Sequence, residues 1–556
     1  MAAPDTPQSS RTVAAVMLLA FFLVFVPAWY VRGPWHIDEL RYVEAARQMG
    51  EYGDPLVGRL NGEVYSEKPP GFSWSVVALQ RVTGVSYFRA GQMVATLAAL
   101  LTGLLLVVLG RLLFRSALAG WLGAGFFWTT IFIVDRGSRP FIDSLLYFWT
   151  TAAVVSLLQV ALATCRKKRM VWLVASCVAM TGGCLTKGPV ALLIPALGAP
   201  ALGLIWRWRK GISLLALPLA ALVGGLVTLL WLWLASQTAG EAYFDRLAFQ
   251  QTAGRVAETG QSAALTGHHE PMWFYLGAVL PVLLPWLLFL PGTLLQARQV
   301  RPQPDGRAAL GLLAWAGLIL VAFSAISGKR AGYVLPMVPP LCLALAWGVL
   351  RGQSRALLAR PAVLLLALFA LAGVLVLLAA PLPALLDASS LPDSLTWFAS
   401  MHWQQMLAVA LAGLVALVGG VYLLVLVKRG ADPATAMLLL VPLFAGVVAL
   451  GNAGVVGALN TVYSSDTFGS QLQDFWIRSE PLVVLGAQKD GMENYYAQRQ
   501  RTENLDADQL AARGGPLWVV SLGKDWQRLP QSTRQGFQQA GTGRFNNADY
   551  VLMHRP

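Results

Sequence analysis

Apolar runs of about twenty residues recur along this chain and leave it few possible folds. A helix of that length crosses a bilayer core of about 30 Å, and in lipid it satisfies its own backbone hydrogen bonds. Thirteen such runs are expected to be spans, at 12–31, 88–110, 116–134, 143–164, 170–185, 188–206, 211–234, 272–295, 308–327, 331–350, 361–380, 403–427 and 434–453. The fold class is therefore mainly α, a polytopic helical membrane protein of about 13 spans. Only 13% of the 556 residues are charged, against roughly 25% in a soluble domain. The opening MAAPDTPQSSR and the run after it have the outline of a signal peptide. The Val13–Val31 run is long and lacks a small-residue cleavage site, so a retained first span is expected.

The net charge is +14, which on its own invites nucleic acid as a partner. The positions of the charges exclude it. Basic residues gather at span ends, as in Arg111 and Arg115, Arg166 to Arg169, Arg298 and Arg301, and Lys428 and Arg429. Every second loop is basic, which is the positive-inside pattern, with anionic membrane lipids as the partners. That alternation places the N-terminus inside. It exports the first loop, the loops near 135–142, 235–271 and 381–402, and the tail. Lys187, Lys329 and Arg330 break the rule by facing out. The four cysteines (Cys165, Cys177, Cys184, Cys342) fall in or beside apolar runs and imply no disulfide framework.

Two domains are expected. Residues 1–454 form the membrane domain, with surface helices in the 32–87 loop. Residues 455–556 form a small extracytoplasmic α/β domain. In the tail, PLVVLGA, PLWVVSL and ADYVLMHRP read as strands, and ENYYAQRQ and DADQLAARG as helix or turn. In the first exported loop, Leu40, Val43, Ala46 and Met49 repeat at helical spacing. Asp38 is placed to cap that helix and Gly53 to end it. Pro69 and Pro70 start a second helix, GFSWSVVALQRV. Both are expected to lie on the membrane surface.

The chemistry-bearing residues gather at the exported boundary. Asp38 and Glu39 offer carboxylates for general-base work on an acceptor, or a plain helix cap. Asp143 carries the same two readings at the start of the fourth span. Arg41, Lys68, Lys187 and Lys329 offer cations for a lipid phosphate, or interfacial side chains that snorkel. His268 and His269 with Glu67 offer a divalent-metal site, or ordinary loop polarity; adjacent histidines diverge, so at most one is a ligand.

DELRYVEAARQM, YSEKPPGFSW, LTKGP, GHHEPMWFYL and GKRAGYVLP occur in this order. With them the chain resembles the bacterial relatives of the protein O-mannosyltransferases, over about residues 10 to 350. The resemblance implies a C-type glycosyltransferase of the bacterial inner membrane, with its active site and tail facing the periplasm. Such an enzyme moves a sugar, with inversion, from a polyprenyl-phosphate carrier to lipid A, another envelope glycan or a protein. By matched motif it implies Asp38, with Glu39 beside it, and Asp143 as the catalytic acids. It implies Arg41, Tyr65, Lys68, Lys187, Lys329 and Tyr333 as carrier-phosphate contacts. Glu67 and His268 resemble a metal pair for Zn, Mg or Mn. Where relatives carry a histidine three residues before an arginine in the 235–271 loop, this chain has Thr252 before Arg255. A lipid or anion transporter, or flippase, is the alternative. It fits the span count, but transporters place their charges near the midplane and carry internal repeats.

Overall fold

The computed structural model describes residues 7–206, 211–248, 270–326, 328–351, 355–385, 396–476, 481–486, 491–545 and 548–556. Among the described residues, ten helices are long and apolar enough to cross a membrane, and a bent pair makes up to eleven. The other two expected spans are helical but shorter or broken. The 188–206 run is helix Val190–Trp206, with Pro195 and Pro200 inside it. The 272–295 run breaks at Pro285 into Phe274–Leu283, the 3-10 turn Trp286–Phe289 and Leu290–Gln299. All thirteen runs are thus helical. Leu222, Leu226, Leu229, Leu230 and Trp233 are exposed along one helix, as lipid-facing side chains are.

The elements around the candidate site run in chain order. They are α1 (Pro7–Val31), α2 (Ile37–Tyr52), α3 (Gly71–Thr83), α4 (Tyr87–Phe114), α5 (Ala117–Thr129), α6 (Ile131–Gly137), α7 (Ile142–Leu162) and α8 (Arg166–Lys187). The third run, expected as one straight span, bends by 72° between α5 and α6. The Thr129 and Thr130 hydroxyls donate to the carbonyls of Gly125 and Phe126, at 2.6 and 2.8 Å. Such back-bonding bends helices, and Thr130 itself is extended. The bend turns α6 and the 135–142 segment toward α2.

The helix α2 is capped by His36, whose Nδ1 accepts the Asp38 N–H at 3.1 Å. Asp38 lies in the first turn rather than at the cap, a correction to the sequence expectation. Gly53 ends the helix at φ 82°, as expected. A short antiparallel hairpin, β1 (Arg59–Leu60) and β2 (Glu63–Val64), separates α2 from α3. Asn61 and Gly62, both at positive φ, make its turn.

The tail holds a five-stranded sheet of order β4-β3-β5-β7-β6. Its strands are β3 (Leu482–Leu485), β4 (Glu503–Leu505), β5 (Leu517–Leu522), β6 (Gln538–Phe545) and β7 (Ala548–Arg555). β3 is parallel to β4 and β5, and the β5–β7–β6 half is antiparallel. The last membrane helix continues through a π turn to Tyr463, past the expected boundary at 454.

The sheet domain sits directly on α2. Leu40 is fully buried in one cluster with Leu482, Val484, Val520 and Leu552. Arg47 forks onto Glu44 at 2.7 Å and donates to the Arg499 carbonyl at 2.8 Å. Gln48 donates to the Gln500 carbonyl at 3.1 Å. α2 packs against the membrane helices on one side and the sheet domain on the other.

The α4–α5 contact depends on glycine. A Cβ on Gly120 would stand 2.5 Å from Val107 Cα, and one on Gly110 2.6 Å from the Gly120 nitrogen. Both obstacles are backbone, so they cannot move alone. Gly120→Ala is expected to push α4 and α5 apart at a cost of about 1–3 kcal/mol. Thermal unfolding of the detergent-solubilised protein checks this, and an unchanged midpoint would refute the contact.

Candidate active site

Asp38 is 6% exposed. A carboxylate so buried is stable as an ion only beside cations. It has two. Arg41, one turn along α2, donates to Oδ1 at 3.2 Å. Arg330, from the segment after helix Pro304–Ser324, donates to Oδ2 at 3.3 Å. Burial lowers the proton affinity of the His36 imidazole. Its Nδ1 accepts, so the neutral ring carries its proton on Nε2.

Asp143 is 8% exposed and lies in the first turn of α7, with Phe141 at the cap position. Its Oδ1 bonds to the Lys187 ammonium at the end of α8. One segment touches both acids. Arg330 holds Asp38, and the Lys187 ammonium lies over the Tyr333 ring at 4.7 Å. A Cβ on Gly332 would meet Asp143 Oδ2 at 3.6 Å. The Tyr275 hydroxyl donates to the Arg330 carbonyl at 3.2 Å and fixes the segment from behind.

Arg41 also reaches Glu67 at 3.5 Å, which brings the Tyr65–Lys68 stretch alongside Asp38. Tyr65 and Lys68 line a cleft with Tyr42, Phe72, Trp231 and Tyr243. Gly71 starts α3 against the end of α8, where a Cβ would stand 2.7 Å from the Leu185 carbonyl. Lys68 and Lys187 are thereby brought to the same region.

Two candidates are placed differently from the rest. Glu39 is fully buried, and its Oε1 takes Arg139 Nε at 2.6 Å. Lys329 is 4% exposed and donates to the Glu270 carbonyl at 2.8 Å, so its neighbour Arg330 is the cation on Asp38. His268 lies outside the described residues. Glu67 has the Arg41 cation beside it, and among the described residues no group of three or more His, Cys, Asp or Glu comes together.

Sequence reasoning passed over Arg330 and Tyr42 as site residues. Tyr42 follows Asp38 by four residues, and that spacing puts both on one helix face. Burial and then the Asp38 and Tyr65 neighbours push its phenol well above the ordinary range, which keeps it a neutral donor. Arg330 had been marked only as a cation on the exported side.

Residues 10–249 match the family model described as dolichyl-phosphate-mannose-protein mannosyltransferase. The chain is 30% identical over 336 residues to the undecaprenyl phosphate-alpha-4-amino-4-deoxy-L-arabinose arabinosyl transferase of Serratia proteamaculans. It is 32% identical over 338 residues to the one from Sodalis glossinidius. These matches cover 60% and 59% of this chain and 58% of each relative. The chain shares its fold with ArnT from Cupriavidus metallidurans bound to undecaprenyl phosphate, at a TM-score of 0.75 and 21% identity over 98% of both chains. An oligosaccharyltransferase from Archaeoglobus fulgidus aligns at a TM-score of 0.51 and 12% identity, over 93% of this chain and 70% of that one. The chain thus shares its fold with ArnT and resembles the aminoarabinose transferases in sequence.

Both side chains of the Asp143–Lys187 pair are 12% exposed. Lys187→Met leaves a buried carboxylate unpaired, at an expected cost of about 3–5 kcal/mol. Adding Asp143→Asn is expected to restore most of it. A double-mutant cycle on thermal stability reads the coupling, and additive losses would show that the two do not pair.

Proposed function

We propose that this protein is an inner-membrane glycosyltransferase that takes its sugar from an undecaprenyl-phosphate carrier and works on the periplasmic side. One observation carries the reading: two buried carboxylates, Asp38 and Asp143, are both contacted by the 330–333 segment and surrounded by Arg41, Lys187 and Arg330. The alternation of basic loops supports the orientation. The relatives' name makes 4-amino-4-deoxy-L-arabinose the first sugar to test, with lipid A or another envelope glycan as acceptor.

In this reading an oxygen of the acceptor attacks the anomeric carbon from the face opposite the carrier. Asp38 takes the proton of that oxygen. The bond from the anomeric carbon to the phosphate oxygen breaks, and its electron pair stays on the phosphate. Lys68 and Arg41 stabilise the charge left there, and Tyr65 and Tyr333 orient the phosphate. Asp143 with Lys187 holds the sugar side of the pocket. Attack opposite the leaving group gives inversion.

Asp38→Asn removes the base and keeps the shape of the side chain. In proteoliposomes supplied with the undecaprenyl-phosphate sugar and lipid A, the turnover rate is expected to fall about 10²- to 10⁴-fold. Folded variant that turns over near the wild-type rate would overturn the assignment.

A further inference from the structure

We propose that Arg139 is a positioning residue that sets the separation of the two carboxylates, acting through Glu39. The proposal rests on the transferase reading. Glu39 is the chain neighbour of Asp38, and Arg139 lies four residues before Asp143, in the turn between α6 and α7. Their ion pair is therefore a strut joining the first turn of α2 to the entry of α7.

Each end of the strut is fixed. Glu39 is fully buried, and its Oε1 receives both Nε, at 2.6 Å, and Nη2 of Arg139. Arg139 Nη1 holds both oxygens of Asp135, at 3.0 and 3.2 Å, and the guanidinium lies 4.8 Å from the Phe141 ring centre. Arg32, at the end of α1, adds a contact to Asp135 at 3.7 Å. The 137–144 segment cannot swing away, because α4 grips it. Thr96 donates to the Gly137 carbonyl at 2.8 Å and Gln92 to the Ser138 carbonyl at 3.1 Å. Ser144 closes the turn by donating to the Arg136 carbonyl at 2.9 Å. With one end anchored and the other a residue from the base, the length of the pair is transmitted to Asp38. A lysine at 139 has one ammonium and cannot fork onto Glu39 while holding both Asp135 oxygens.

The test uses the full-length protein in proteoliposomes with the prenyl-phosphate donor, comparing Arg139→Gln, Arg139→Lys and the double variant Glu39→Gln/Arg139→Met. A displacement of about 1 Å costs on the order of 10²-fold in rate. Arg139→Gln is expected to lower kcat by about that factor, with KM for the donor within about threefold of wild type. Arg139→Lys is expected to recover part of the loss. The double variant removes both charges together, so it stays folded if Arg139→Gln does not, and it is expected to show the same kcat loss. A folded variant of either kind with kcat within about threefold of wild type overturns the proposal, as does a loss carried entirely by KM. If the wild type transfers no sugar, the transferase reading fails, and a cryo-EM structure of the double variant decides on the strut. Asp38 and Asp143 at unchanged separation refute it, and altered separation supports it.

Discussion

An ionised carboxylate at the edge of a bilayer has lost most of its water and needs cations to replace it. Asp38 draws one from its own helix and one from a segment almost three hundred positions later, in Arg330. Asp143 draws its cation from the far end of α8. Neither environment exists until distant parts of the chain have packed. The pocket is therefore a product of closure of the whole membrane domain. Its ion pairs report that closure at two places: α2 against the 330–333 segment, and α7 against α8.

The large features were legible because they rest on length and composition. A run of about twenty apolar residues permits little besides a buried or lipid-facing helix, and all thirteen runs are helical. β3, β5 and β7 were legible from their short apolar runs, while β6, with Gln538, Gln539 and three exposed residues at its start, carries no such signature. The bend at Thr130 was not legible, because it depends on two hydroxyls choosing carbonyls of the preceding turn over solvent. The cap on α2 went to His36 rather than Asp38 for a similar reason. His36 holds the cap position and its imidazole accepts the Asp38 N–H, while Asp38, inside the first turn, directs its oxygens to Arg41 and Arg330.

The polar face of α2 was the least legible. Glu44, Arg47 and Gln48 look like a solvated face, and in an isolated helix they would be one. All three are buried, because the sheet domain brings the Asn494, Arg499 and Gln500 carbonyls to meet them. Periodicity cannot separate a polar face that meets water from one that meets backbone of another domain. The signal that remained was indirect: Glu44, Arg47, Gln48 and Glu51 fall within about two turns, spaced to bond one another.

This dual burial gives the sheet domain a physical role in the pocket. The face of α2 with Asp38, Arg41 and Tyr42 meets the membrane helices, and the face with Leu40, Glu44 and Arg47 meets the sheet domain. A helix of 16 residues with a mean content so rich in charge would not hold one rotation against the bilayer by hydrophobicity alone. Leu40 in the sheet-domain core and the Arg47 fork fix that rotation, and the position of Asp38 follows from it. The matched family region, residues 10–249, contains both acids and Lys187. Arg330, Tyr333 and the domain that clamps α2 all lie beyond it. The two halves of the chain are thus not a catalytic part and an appendage: the first supplies the carboxylates, and the second supplies the cation and the support that keep one of them in place.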